Sequence, residues 1–350
     1  MIHSPSPQDN LSSWKPKLLS VIFSFRNEED VLPELIQRVR QVIREEKNKG
    51  ILSGHELIFV NDASTDRSLD ILLEHSKNNN DISVINMSRV FGVAPCVLAG
   101  MEYSSGDLLV YMDADLQDPP ELISSMLKAL KDDPNVDVVH SVRRSRTGEP
   151  KLKLFITRIG YLILNKFTTV QIPIEAGDFK LLTRRAVNHI LRLKENRPFM
   201  RGLVCWIGFK QAFVPYDRRA RFAGKTKFHV LSKSVINNFF NNALISFTAV
   251  PLNIATVFGI LAILIDFLLL IHVFLEKIEG KAIPGWTAIM IAVLFLGGVQ
   301  LFCSGIIGLY INSIHEQGKN RPPFIVTSTY GFNEKLGTAP DFFKNSTLQK

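Results

Sequence analysis

The chain has 350 residues, 46% of them hydrophobic and 21% charged, enough for about two domains or one domain with an appendage. Its net charge of +8 favours an anionic partner, and without a nucleic-acid-binding motif that partner is a phosphorylated ligand or a lipid surface. Cys96, Cys205 and Cys303 are far apart with no CxxC pair, which excludes a disulfide framework and a zinc site.

Residues 1–16 are polar and carry Pro and Ser, and read as a flexible tail with no signal-peptide core. From Leu18 apolar runs alternate with helical patterns. LLSVIFSF (18–25), ELIFVN (56–61), ISVINM (82–87), DLLVYMD (107–113) and VDVVHSV (136–142) read as strands. Helices are predicted over Val31–Lys47, Ser68–Lys77, Ala94–Tyr103 and Pro120–Lys131, the first with apolar positions at Leu32, Leu35, Ile36, Val39, Val42 and Ile43. This βα alternation predicts an α/β fold with a mostly parallel sheet covered on both faces.

The pattern changes at Lys151. Residues 151–169 are apolar around most of a helix, with Lys151, Lys153, Arg158 and Lys166 interspersed. Such a segment is either an amphipathic helix lying on a membrane or a buried core helix. Further on, the runs 244–275 and 283–312 each exceed the roughly 20 residues needed to span a bilayer, and predict two transmembrane helices joined by the turn EKIEGK (276–281). Basic residues flank the hairpin at RRARFAGKTKFHVLSK (218–233) and GKNR (318–321), so both flanks are expected in the cytoplasm. Asp266 lies within the first run and is either functional or part of an interhelical contact. The expected organisation is a tail over 1–16, a cytoplasmic domain over 17–230, a membrane domain over 231–315 and a cytoplasmic tail over 316–350.

Chemistry concentrates at DADLQDPPE (113–121), after the apolar run Leu108–Met112. Two carboxylates at the carboxyl end of a strand stand where α/β sheets hold ligands, and hard oxygen donors there suit Mg²⁺ or Mn²⁺ with a diphosphate. SFRNEED (24–30) and VNDASTDRS (60–68) follow two other strands on the same edge. Each alone could be a helix cap; together they describe an acidic pocket that needs a cation to accept an anionic nucleotide.

With Asn27-Glu28, Asn61-Asp62-x-Ser64-x-Asp66, DADLQDPPE, GDFKLLTRRAV (177–187), the RGL of RGLVCW (201–206), RFAGKTKF (221–228) and GLYINSIHEQGKNRPPFIV (308–326), the chain resembles the inverting family-2 glycosyltransferases of GT-A fold. Within them it is most similar to the polyprenyl-phosphate sugar synthases with two carboxy-terminal membrane helices, and especially to the bacterial bactoprenol glucosyltransferases. The resemblance covers roughly 18–326. Ala63 stands where the family usually has Gly.

The resemblance implies roles. Glu28 and Asp62 hold the nucleoside; Asp113, Asp115 and Gln117 bind the metal–diphosphate group; Asp178 is the acid of the acceptor loop, as base or orienting group, unless it only caps a turn. For the acceptor phosphate the basic candidates are Arg143, Arg144, Arg146, Arg201, Arg218, Arg221 and Lys227, some of which could instead form a solvated face or bind lipid headgroups. The implied reaction transfers one sugar, with inversion, from a nucleotide sugar, UDP-glucose first, to undecaprenyl phosphate or a similar polyprenyl phosphate, for cell-envelope glycan or O-antigen modification. The implied setting is the inner membrane, multi-pass, as a homo-oligomer, with a tetramer suggested by the family. Two other readings are a processive polysaccharide synthase and a catalytically silent membrane scaffold. The first is disfavoured by the lack of a Gln-x-x-Arg-Trp motif and the small number of spans, the second by the clustered acids.

Overall fold

A computed structural model describes residues 14–144, 166, 172–173, 176–195, 198–217, 250–278 and 285–332. The proposed surface helix over 151–169, apart from Lys166, lies outside the described residues, as do Arg146, Arg218, Arg221 and Lys227. The first half follows the expected alternation: β1 (Lys17–Phe25), α1 (Leu32–Asn48), β2 (Leu52–Asn61), α2 (Ser68–Asn78), β3 (Ile82–Met87), α3 (Val93–Tyr103), β4 (Leu108–Asp113), α4 (Leu122–Asp132) and β5 (Val138–Arg143). There follow β6 (Ala176–Thr183), α5 (Arg184–Arg192), α6 (Met200–Trp206) and β7 (Gln211–Tyr216), then α7 (Val250–Ile278), α8 (Trp286–Gly318) and β8 (Val326–Tyr330).

The strands form one sheet in the order β7-β5-β6-β4-β1-β2-β3-β8. The pairs β1–β2, β1–β4, β2–β3 and β5–β7 are parallel, while β3–β8, β4–β6 and β5–β6 are antiparallel. The sheet is therefore mixed and mostly parallel. The sequence patterns give β1–β5 but not β6, β7 or β8. β6 enters between β4 and β5, with Val110 opposite Leu181 and Val139 also opposite Leu181 on its other side. Its Asp178 and Lys180 interrupt the apolar run, so its pattern does not read as a central strand.

One sheet face packs on α1 and α4. All six apolar positions predicted for α1 are buried, together with Ile123, Met126, Leu127 and Leu130 of α4. They meet Leu19, Val21 and Phe23 of β1 and Leu57 and Phe59 of β2, where Phe23 and Phe59 stack at 4.7 Å. Truncating such a residue to Ala costs about 2–5 kcal/mol. The other face packs on α3, which approaches so closely that a Cβ on Gly100 would lie 2.4 Å from Ile22. The core thus fixes the carboxyl ends of β1, β2 and β4 side by side.

Two compact units are present: residues 1–158, 170–229 and 322–350 form the first, and residues 159–169 and 230–321 the second. In the second, α7 and α8 pack through Phe258 and Phe302, edge to face at 5.8 Å, and the Cys303 thiol lies 3.3 Å from the Ala255 carbonyl. Of the two expected spans, one segment, Phe295–Gly318, is long and apolar enough among the described residues to cross a membrane. The apolar stretch of α7 is shorter, Pro251–Ile265, and stops before Asp266. At 1.5 Å per residue it covers about 22 Å of a hydrocarbon core of about 30 Å. After α8 the chain rejoins the first unit as β8, antiparallel to β3 at the sheet edge.

Candidate active site

Three loops leave the carboxyl ends of β1, β2 and β4 on one edge. Register brings them together: Phe25 pairs with Asn61, and Ser24 with Asp113. Each loop carries one non-glycine residue in the left-handed region, Asn27 (φ 55°), Ala63 (φ 52°) and Leu116 (φ 55°). Backbone strain of this kind persists where the surroundings over-determine it. The left-handed backbone also accounts for the family's usual Gly at the place of Ala63. The surroundings are a mesh of hydrogen bonds. The Asn27 amide donates to Ser64 Oγ (3.0 Å), the Thr65 amide to Asn27 Oδ1 (2.8 Å), the Glu28 amide to Ser68 Oγ (2.9 Å) and the Arg67 amide to Glu29 Oε2 (3.0 Å).

Asp62 is buried, and both its oxygens are engaged. Oδ1 accepts from the Phe91 amide at 2.7 Å and Oδ2 from the Gly92 amide at 3.0 Å. It thereby shapes the loop between β3 and α3, where Gly92 takes a φ of 95° that a side chain would strain. The Arg89 guanidinium lies over the Phe91 ring at 4.0 Å. Glu28 is half-buried where the first loop enters α1, its carbonyl accepting from the Val31 and Leu32 amides.

At the end of β4, Ser24 Oγ is 3.4 Å from Asp113 Oδ1, and Asp115 accepts the Gln117 amide at 3.1 Å. Burial, and then the charges of Asp178, Asp115 and Asp118, push the Asp113 carboxyl up to about 7, with Arg201 opposing. A carboxylate so crowded with negative charge is suited to a cation. Among the described residues no group of three or more His, Cys, Asp or Glu could hold a metal ion alone. Asp113, Asp115 and Gln117 therefore fit Mg²⁺ or Mn²⁺ only as a partial donor set that diphosphate oxygens complete, which is how Mg²⁺ is commonly bound.

Across the sheet, Asp178 on β6 meets Arg201 on α6. Arg201 Nε donates to Asp178 Oδ1 at 2.9 Å and Nη2 to Oδ2 at 2.6 Å, a bidentate geometry that fixes both partners. Burial would raise the Asp178 pKa, but the charge and hydrogen bonds of Arg201, then Lys180 and Arg143, hold it well below the carboxylate range. Lys180, only 1% exposed, donates to the Gly177 carbonyl at 2.7 Å, and its ammonium lies 5.7 Å from the centre of the Tyr111 ring. Burial pushes its pKa down to about 8 against the pull of Asp178. Tyr111 and His140 flank it in register. Burial, and then Lys180, push His140 down to about 3, so its imidazole stays neutral.

A further cluster closes the loop of β4. Asp118 is buried and accepts from the Tyr216 hydroxyl. Arg143 Nε donates to that hydroxyl at 3.1 Å, and Arg143 Nη2 lies 3.8 Å from Asp118 Oδ2.

Of the residues singled out by sequence, Asp113, Asp115 and Gln117 share one loop, and Asp178 and Arg201 are paired. Asp113 and Asp178 lie within range of each other's charge. Glu28 and Asp62 belong to the neighbouring loops. Arg143 is turned into the Asp118 cluster, and Arg144 is exposed at the end of β5. Lys180, Asp118 and Tyr216 were missed. The available signals were the acid at 118 within DADLQDPPE and a lysine within the apolar strand FKLL.

Residues 20–191 match the family model "Glycosyl transferase family 2". An uncharacterized glycosyltransferase, YkcC of Bacillus subtilis, is 38% identical, covering 90% of this chain and 95% of that one. Another, sll0501 of Synechocystis, is 37% identical over 89% and 96%. The SfII prophage-derived bactoprenol glucosyl transferase of Shigella flexneri is 31% identical over 90% and 99%. Among solved structures, glucosyl-3-phosphoglycerate synthase from Mycobacterium tuberculosis aligns at a TM-score of 0.44 and 16% identity over 68% and 82%, a likeness of outline only. With identity of this extent along nearly the whole chain, the protein belongs to glycosyl transferase family 2 and is a glycosyltransferase similar to the bactoprenol glucosyl transferases.

Proposed function

We propose that the protein transfers a single sugar, glucose from UDP-glucose, to undecaprenyl phosphate or a similar polyprenyl phosphate, with inversion at the anomeric carbon. The observation that carries this reading is the state of Asp178. Arg201 grips both its oxygens and keeps it ionised at acidity far below neutral. A carboxylate whose two oxygens are both taken up by a guanidinium is poorly placed to accept a proton. A sugar hydroxyl must lose a proton as it attacks, whereas a phosphate monoester is largely ionised near neutral pH, its second pKa being about 6 by analogy with phosphoserine. The site therefore suits an acceptor that arrives as an anion. In this reading Asp178 orients Arg201, and the guanidinium charge helps draw the acceptor phosphate to the site.

On the donor side, Asp113, Asp115 and Gln117 would hold Mg²⁺ or Mn²⁺, which when bound offsets the charge that develops on the departing nucleoside diphosphate. Glu28 and Asp62 shape the nucleoside side, Asp62 through the Phe91–Gly92 amides. The sequence of 218–227, with Arg218, Arg221 and Lys227, supplies further cations close before the membrane segment. Arg144 and Arg146 remain proposed for the acceptor side as well. The proposed organisation keeps a cytoplasmic catalytic domain over 17–230, a two-span membrane domain over 231–315 and cytoplasmic tails. The amphipathic segment 151–169 would lie at the membrane surface, and the whole would be a homo-oligomer. The 31% identity to a bactoprenol glucosyl transferase supports both glucose and the lipid acceptor.

The test is transfer of radiolabel from a panel of nucleotide sugars into organic-extractable lipid with undecaprenyl phosphate present. UDP-glucose should give the most product, EDTA should abolish it reversibly, and Asp115→Asn should lose most activity while keeping the fold. Full turnover in EDTA would remove the metal from the account. Absence of labelled lipid with every donor would contradict the acceptor.

A further inference from the structure

We propose that Tyr216, Asp118 and Arg143 form a latch that sets the metal-binding loop, with Tyr216 and Arg143 as positioning residues. The inference rests on the reading above that Asp115 and Gln117 hold a cation–diphosphate group. Asp118 follows Gln117 directly and is 3% exposed, so its carboxylate must find partners inside the protein. It finds two. The Tyr216 hydroxyl donates to Oδ1, and the Arg143 guanidinium faces Oδ2 at 3.8 Å. The ring closes where Arg143 Nε donates back to the Tyr216 oxygen at 3.1 Å. Burial, then the Asp118 charge, push the Tyr216 hydroxyl up to about 12, so it remains a donor.

Three segments distant in sequence meet in this ring: the loop after β4, the last residue of β5 and the last residue of β7. The loop needs such an anchor. Leu116, between Asp115 and Gln117, is in the left-handed region at φ 55°, and a non-glycine residue stays there only when its surroundings over-determine it. On one flank Asp113 ends a central strand; on the other stands Asp118. Arg143 serves a second purpose. A Cβ on Gly177 would sit 3.2 Å from its Nη2, so the guanidinium packs against the residue before Asp178. A side chain thus engaged, 13% exposed, is committed to the latch, and this reassigns Arg143 away from the acceptor phosphate.

The decisive variant is Tyr216→Phe, which deletes one hydroxyl and keeps the ring. Mn²⁺ is titrated calorimetrically into full-length protein in detergent with UDP present, and UDP is titrated separately in EDTA. A hydrogen bond to a charged group supports an expectation of about tenfold weaker Mn²⁺ binding, with metal-free UDP affinity within about twofold of wild type and kcat reduced more than the acceptor KM is raised. Asp118→Asn, which keeps the shape but removes the charge, should shift Mn²⁺ binding in the same direction. Unchanged Mn²⁺ affinity in both variants overturns the latch. So does equal loss of metal-bound and metal-free UDP binding, which would mark a merely structural contact. Wild type that binds UDP but no Mn²⁺ overturns the metal reading itself, a distinct outcome.

Discussion

At the scale of single residues the site is a balance of charge: Asp113, Asp115, Asp118 and Asp178 against Arg143, Lys180 and Arg201. Each cation has a defined place, and Lys180 has the least solvent. Its ammonium holds the Gly177 carbonyl, and so the turn that presents Asp178. Because burial lowers its pKa to about 8 in the fold from about 10.4 in an unfolded chain, the native protein releases this proton first. Between those values the unfolded state binds more protons, and stability rises with pH. Activity should move the other way, since the charge beside Asp178 is lost above pH about 8. Asp178, Arg201, Arg143, Cys205 and Tyr111 all surround that ammonium; Asp178 stays ionised and Arg201 charged across this range. A pH–rate profile should show an alkaline limb near 8 in wild type that moves upward in Lys180→Arg, whose guanidinium stays charged. Lys180→Met should lose roughly 10- to 100-fold in kcat, the worth of a charged hydrogen bond. Identical limbs in wild type and Lys180→Arg would sink the assignment. These partners were not legible in the sequence. Asp113, Asp115 and Asp62 announce themselves because their motifs are local, whereas Lys180 is buried between Tyr111 and His140, brought to it only by strand order.

At the scale of elements, periodicity carried β1 to β5 and the helices between them, because each buries a continuous apolar run or a single helical stripe. It failed on β8. VTSTY is short and polar, and three of its five residues are exposed; what makes it a strand is the free edge of β3. Its anchoring is specific. The Ser88 amide donates to the Ile325 carbonyl at 2.9 Å, Ser83 Oγ to the Gly331 carbonyl at 3.1 Å, and Phe332 meets Tyr103 at 5.5 Å. Ser88 opens the loop that Asp62 holds at Phe91 and Gly92, so the segment after α8 supports one wall of the proposed nucleoside side. Gly331 permits this: its φ is 75°, and a Cβ would lie 2.3 Å from the Ile82 carbonyl. Gly331→Ala should lower stability by at least about 1–2 kcal/mol, the cost of left-handed backbone alone, seen as a fall of several degrees in Tm. UDP should also bind more weakly. An unchanged Tm would show that β8 is dispensable.

At the scale of the whole molecule, the segment carrying α7 and α8 interrupts the catalytic unit in sequence between β7 and β8, which occupy opposite edges of the sheet. Composition predicted two spans, whereas among the described residues one segment is long and apolar enough to cross a membrane. Phe295–Gly318 meets the requirement on its own, and the apolar stretch of α7 ends at Ile265, just before Asp266. The proposed two-span topology returns the chain to its starting side, as a sheet completed by β8 requires if β8 is to join the strands that precede α7. A reporter fused after Lys350 should therefore be cytoplasmic; a periplasmic reporter would leave a single crossing and contradict the pairing of β3 with β8.

The central claim is that this glycosyltransferase passes its sugar to an anionic phosphate and not to a hydroxyl, because Arg201 occupies both oxygens of Asp178 and leaves it poorly placed to act as a base. The direct measurement compares undecaprenyl phosphate with undecaprenol as acceptors for the same labelled nucleotide sugar in the same detergent, with the labelled lipid products identified by mass spectrometry. The account predicts transfer only to the phosphate, giving a sugar-linked phosphodiester. Comparable transfer to the alcohol, or to a growing glycan chain, would contradict it.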